Sequence, residues 1–187
     1  NRGYKTVSFR KGNHDVYEKA PIYNFEMHVS LFHGTYKELT EQYKNVKERL
    51  LPVDGTAYQF AFTPEDFYVF VLAHAHKHYS HSGTGVRTLA DLYVMGRHLG
   101  DIMDRDEVEQ KLTLGIAEYE QHSRVLAEKL FSAVRPLAET ELTEDEKEML
   151  LYYCDATTYG TVGNSVNNRL HELQEDSEDI TRWTKLK

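Results

Sequence analysis

One cysteine, one tryptophan and four prolines are spread over 187 residues. Cys154, being alone, excludes an internal disulfide framework and a multi-cysteine zinc site, and it reads as a small buried apolar residue in a reducing compartment. No run approaches the roughly eighteen consecutive apolar residues that a membrane span needs, and Asn1, Arg2, Gly3 and Tyr4 carry no signal-peptide pattern. The expectation is a cytoplasmic protein with no membrane partner. Basic charge is scarce as well: 22 Lys and Arg stand against 30 Asp and Glu, a formal net charge of -8. Duplex nucleic acid is thereby excluded as a main partner, because binding it requires a basic surface that releases counterions. A small phosphorylated ligand is compatible, since a divalent ion and a few local cations can neutralise one triphosphate.

What the chain does have is a 40% hydrophobic content, enough at this length for a real core in one domain or one and a half. The chain opens on Asn rather than Met, turns strand-like within a few residues, and stops after a helical pattern ending in Ile180, Thr181, Arg182, Trp183, Thr184 and Lys185. It therefore reads as an internal piece of something longer.

Residues 1–34 are expected to supply strands. Tyr4 to Arg10 and His14 to Lys19 flank a Gly12-Asn13 hairpin turn, and Tyr23 to Leu31 follows Pro21. In the third run Phe25, Met27, Val29 and Leu31 share one face and Asn24, Glu26, His28 and Ser30 the other, so the apolar face should pack on a core. From residue 35 to 187 the periodicity is helical. Thr35 with Glu38 has capping-box spacing and starts a helix expected to reach Leu51, before Pro52. After an extended stretch from Tyr58 to Phe62, Thr63-Pro64-Glu65-Asp66 is a strong helix start, with an N-cap, a first-turn proline and acids. The helix from 64 to 80 is apolar nearly all round (Phe67, Val69, Phe70, Val71, Leu72, Ala73, Ala75) and should be the hub of the helical part. Further helices are expected from Val86, with Leu89, Leu92 and Tyr93 on one stripe, and near 104–113, 116–134, 143–155 and 165–176. The fold class is α+β: a small antiparallel sheet packed against a mostly helical bundle.

Three places could carry chemistry. Glu26 and His28 share the polar face of their strand, where a carboxylate could bind a divalent cation or polarise a nucleophile, although one carboxylate cannot hold magnesium firmly. A solvated polar face is the commoner use of this pattern. On a helix, His74, His78 and His81 fall on one face while His76 points elsewhere. Two histidines one turn apart can be zinc ligands, but no glutamate completes a protease motif. His74 continues the Phe67, Phe70, Val71 stripe, which favours a hydrogen-bonded core histidine, and His81 suits a helix C-terminus. Ser82, Gly83, Thr84 and Gly85, just before a helix, expose backbone N–H groups suited to an anion, with Lys77 and Arg87 as countercharges. Such glycines more often only turn the chain, and Arg87 with Asp91 has the spacing of an ordinary surface pair.

As an ensemble, Val16-Tyr17-Glu18-Lys19, Tyr23-Asn24-Phe25-Glu26-Met27-His28, Phe62-Thr63-Pro64-Glu65-Asp66-Phe67-Tyr68, Ala73-His74-Ala75-His76-Lys77-His78, Gly83-Thr84-Gly85-Val86-Arg87, Asp91-Leu92-Tyr93-Val94 and the later Thr158-Tyr159-Gly160-Thr161 resemble the uncharacterised nucleotidyltransferase family of the polymerase-beta-like superfamily. The resemblance implies a small sheet with an Asp-x-Asp strand, a third carboxylate on a later strand, and a helical region closing over the nucleotide. Glu26 is similar to the third carboxylate, while the Asp-x-Asp strand would lie upstream of Asn1. The only such pairs in the chain sit in polar helical sequence, as in Asp104-Arg105-Asp106. The implied reaction is Mg2+-dependent transfer of a nucleotidyl group from an NTP to an unknown hydroxyl on a small molecule or protein. Glu26 would serve as metal ligand or base. Lys77, Ser82, Gly83, Gly85, Arg87 and Asp91 would face the nucleotide, with His28 and His78 as further candidates. This stretch by itself is expected to be inactive without the upstream aspartates. Two other classes compete: a catalytically inactive binding or regulatory protein that kept the fold, and a metal-dependent hydrolase built on the histidine helix.

Overall fold

The computed structural model describes residues 2–12, 14–32, 36–157 and 160–170. Three strands, β1 (Lys5–Ser8), β2 (His14–Lys19) and β3 (Tyr23–His28), form an antiparallel sheet in sequence order. The β2–β3 register runs from His14 opposite His28 to Lys19 opposite Tyr23. Arg10, between β1 and β2, takes a positive φ of 55°, and its N–H donates to Asp15 Oδ1 at 2.7 Å. The turn expected at Gly12-Asn13 includes a residue, Asn13, that lies outside the described residues.

The sheet departs from the expectation of a buried apolar face. Phe25, Met27 and Val29 are 49%, 58% and 62% exposed, and Tyr23 and Val7 on neighbouring positions are also open. Alternation assigns residues to two faces but not a cover to either, and among the described residues nothing buries this one. Only Leu31 and Phe32, beyond the strand, reach the main core, where the Phe32 ring meets Tyr43, Tyr36 and Phe70.

Helix α1 (Lys37–Gln42) is much shorter than the expected run to Leu51, and its N-cap is Tyr36, without a side-chain cap. The expected cap Thr35 lies outside the described residues. The chain leaves the helix at Tyr43, makes a 3-10 turn over Val46–Arg49, and forms a ribbon of β4 (Leu51–Pro52) with β5 (Phe60–Ala61). The reason for the early end is visible at Asp66. Tyr43 Oη donates to its carboxylate at 2.7 Å, Arg49 Nη1 reaches it at 3.1 and 3.2 Å, and Lys111 Nζ at 2.8 Å. A straight helix could not bring residues 43 and 49 to the same carboxylate, because six positions apart they lie on different faces.

Helix α2 (Pro64–His81) begins as expected, Thr63 accepting from the Asp66 N–H with Pro64 in the first turn. It packs against α3 (Arg87–Leu99), α4 (Arg105–Lys111) and α5 (Leu114–Ser132), and α5 carries α6 (Glu144–Asp155). Tyr68, Val69, Leu72 and Ala73 are buried at this hub, with Leu89 and Leu92 of α3, Ile116 and Leu126 of α5, and Tyr153 of α6. Phe67 is 43% exposed, so α2 is not enclosed all round. Asp104, one of the Asp-x-Asp pair noted in the sequence, caps α4 by accepting from the N–H groups of Asp106 and Glu107. A last helical stretch over 162–170, α7, lies near the expected one; residues 171–176 fall outside the described set. Asn168 of α7 ties it to α2 and α6, its Nδ2 donating to Tyr152 Oη at 2.8 Å and the His81 carbonyl at 3.1 Å.

Candidate functional site

The β2–β3 pairing decides what stands on the polar side of the sheet. His14 is the direct cross-strand partner of His28, and Glu26 lies two residues earlier on the same face. The imidazole rings of His14 and His28 are 5.2 Å apart with a 34° tilt, and His14 Nε2 lies 4.0 Å from Glu26 Oε2. One ligand atom from each of the three residues falls within 4.8 Å of the others. Glu26 thus has a cluster around it rather than an isolated position. His14, which had been read only as a strand residue, is the member that was missed. Its signal is legible in retrospect: three residues, Ala20, Pro21 and Ile22, join β2 to β3, and antiparallel pairing from Lys19–Tyr23 backwards sets His14 opposite His28.

His74 lies within electrostatic reach of both His28 and Glu26, and its imidazole is pushed down to about 4 by partial burial, by His78 and Lys77, and by His28 against the opposing pull of Glu26. His74 Nε2 and His78 Nε2 are 3.1 Å apart, a separation set by the i, i+4 spacing on α2. The two histidine positions on α2 have exchanged the expected roles. His74, expected inside the core, is exposed, whereas His76 is the hydrogen-bonded inner histidine. Its Nδ1 lies 2.7 Å from Tyr36 Oη and its Nε2 lies 3.2 Å from Ser80 Oγ. Burial lowers the His76 pKa and raises that of Tyr36 to about 12, which suits a neutral imidazole accepting from the phenol.

The glycine loop is a second, separate place. Helix α2 rises about 1.5 Å per residue, so Gly83 stands some nine residues beyond His74 along the chain axis. Gly83 has φ 90° and donates its N–H to the His78 carbonyl at 2.9 Å, closing the helix end. An added Cβ would sit 2.6 Å from Ala156 Cβ and 2.8 Å from Asn164 Nδ2, so its open side is filled by protein. The Ser82 carbonyl accepts from Thr161 N–H at 2.8 Å, and Gly160 is pressed against it. Gly85 and Arg87, with Thr84, Thr88, Phe131 and Tyr153, line a cleft of about 490 Å3 that also receives Cys154. Glu26 is not among its lining residues. Cys154 is exposed, a correction to its reading as a buried apolar residue. Lys77, Arg87 and Asp91 are exposed, and among the described residues no ion pair joins Arg87 to Asp91.

An ion at Glu26 would meet one carboxylate oxygen and two imidazole nitrogens. Magnesium demands near-octahedral oxygen donors, so among the described residues this set does not fit a resident magnesium ion.

Comparison with curated proteins and with solved structures finds no match. A sequence model described as an uncharacterised nucleotidyltransferase matches residues 1–132, a span that contains the sheet, the Glu26 cluster, α2, the glycine loop and α3 through α5. That match covers more than half of the chain, and the chain belongs to the uncharacterised nucleotidyltransferase family.

Proposed function

We propose that the protein transfers a nucleotidyl group from a nucleoside triphosphate to a hydroxyl acceptor, with Glu26 at the acceptor side. Family membership supports nucleotidyl transfer at the coarse level. The observation that supports the finer reading is that Glu26 shares a strand face with His14 and His28 and lies within electrostatic reach of His74 on α2. In this reading Glu26 takes the proton of the acceptor hydroxyl. The acceptor oxygen forms a bond to the α phosphorus, the bond from that phosphorus to the bridging oxygen breaks, and pyrophosphate leaves. Lys77, three residues beyond His74 on α2, and Arg87, at the start of α3, are the exposed cations this reading assigns to phosphate charge. Ser82, Gly83, Gly85 and Asp91, expected at the nucleotide, stand in the glycine loop and at the start of α3, apart from Glu26. Gly83 would act there through the turn it makes, since its N–H is already used. The magnesium expected from the resemblance would travel on the triphosphate oxygens as part of the substrate.

A catalytically inactive binding protein of the same fold is the second reading, favoured by the single carboxylate in the cluster. The two separate on one experiment. The purified protein is incubated with α-labelled nucleoside triphosphates and a panel of hydroxyl acceptors, and label transfer and pyrophosphate release are followed together. Transfer that falls by roughly a hundredfold or more in Glu26→Ala supports the assignment, in line with the loss of a general base. Transfer at an unchanged rate in that variant removes Glu26 from the mechanism.

A further inference from the structure

The polar face of the sheet holds a donor set unlike the one the family resemblance implies. His14, Glu26 and His28 present two imidazole nitrogens and one carboxylate oxygen within 4.8 Å of one another. Ion binding at a divalent zinc-like centre uses bonds of about 2.0–2.2 Å, which set neighbouring donors roughly 3–3.5 Å apart. The 4.0 Å between His14 Nε2 and Glu26 Oε2 needs only a small side-chain rotation to reach that spacing. The backbone holds the three in place. His14 and His28 are register partners in a regular antiparallel ladder, whose directly opposed Cβ atoms lie about 4.5–5.5 Å apart. Glu26 shares the face through the two-residue strand period. Sites on regular strands lose less order on binding than sites on loops.

We infer that His14, Glu26 and His28 form a binding site for a borderline divalent transition ion of the zinc and cobalt class, in preference to magnesium. Imidazole nitrogen binds these ions well and suits magnesium poorly, and affinity along the first transition row favours the later ions over the earlier ones. Three protein ligands leave at least one position open, the arrangement of a centre that takes water or a substrate atom rather than a closed structural site. On α2, His74 and His78 stand with their Nε2 atoms 3.1 Å apart, and His74 lies within electrostatic reach of His28 and Glu26. The site does not depend on either. The inference stands on the sheet alone and needs no nucleotidyl transfer, so it can fail or succeed independently of the proposed activity.

The test is a titration of the untagged protein with Co2+, followed by visible absorption and calorimetry, and then by competition with Zn2+ and with excess Mg2+. The expected result is one Co2+ per chain with the intense d–d bands of a four- or five-coordinate ion, displaced by Zn2+ and unaffected by Mg2+. His14→Ala and His28→Ala should each weaken binding by at least about tenfold, the loss typical of disturbing a metal site. Each variant is checked by circular dichroism; neither histidine belongs to the buried core. His98→Ala, an exposed histidine on α3, should bind as the parent does. Binding that survives in both His14 and His28 variants but is lost in a His74→Ala, His78→Ala double variant would place the ion on α2 and overturn the inference. So would an octahedral aqua-like cobalt spectrum, or displacement by Mg2+ at comparable concentration.

Discussion

The sheet and the helical bundle treat their polar groups in opposite ways. In the bundle, charges and hydroxyls are buried and answered. Asp66 is met by Tyr43, Arg49 and Lys111. Glu120 takes the Tyr68 hydroxyl at 2.6 Å and is flanked by Arg105 and Arg124. Ser123, Tyr153 and Tyr119 form a chain of hydroxyls at 3.0 and 2.9 Å. Buried polar groups are costly unless paired, so such networks hold a packing in place. In the sheet the polar groups converge without that enclosure, and the apolar ones are exposed. A satisfied buried network is committed to the fold, which is the part the bundle plays here.

The contrast is sharpest at Asp66. Asp66→Ala should cost about 3–5 kcal/mol, the usual penalty for orphaning the partners of a buried charge, measured as a lower denaturation midpoint in urea. Its acid dependence has a definite sign. Burial alone would raise the Asp66 pKa, but hydrogen bonds from Lys111, Tyr43 and Arg49 outweigh it and hold the carboxyl below the ordinary 3.8. A depressed folded-state pKa contributes stability that is present above the ordinary aspartate value and lost as pH falls through the folded one. The gap between parent and variant should therefore narrow below about pH 4, and a gap that is constant with pH would contradict the network. Gly83→Ala comes next. The positive φ and the 2.6 Å approach to Ala156 together should cost about 1–3 kcal/mol, and a neutral result in thermal unfolding would mean that α6 and α7 do not close on this loop. The smallest effect belongs to the sheet: Phe25→Ser or Met27→Ser should change stability by no more than about 0.5 kcal/mol, as at exposed positions generally. A loss of several kcal/mol would show that this face is covered, and would remove the contrast between the two regions.

Local signals were readable where they are self-contained. Thr63-Pro64 marks the start of α2 because a capping hydroxyl and a first-turn proline act within one turn. The structure adds a capping box of Thr143 and Glu146 at the start of α6, where the sequence reading placed only a helix near 143–155. Sequence periodicity also separated Glu26 and His28 from Phe25 and Met27. It did not say which side another element would occupy, and so the burial of the apolar face was expected and not found. The same gap explains the exchange of His74 and His76. On a helix that is apolar over most of its circumference, relative angles are fixed by the 3.6-residue turn, but the inner side is chosen by the neighbours, here Tyr36 and Tyr119 around His76. Helix α1 was overestimated for a related reason: its end is set by a carboxylate more than twenty residues away.

What the amino-acid sequence determined by itself is the three N-terminal strands, the start of α2, the family, and the membership of each strand face, because these follow from short-range spacing, capping and motif order. Tertiary structure alone decided that His14 joins Glu26 and His28, that the glycine loop is packed shut on one side, and that Glu26 and His28 come within electrostatic reach of His74 on α2. Those outcomes depend on which surfaces meet, and the free energy of meeting is summed over residues far apart in the chain.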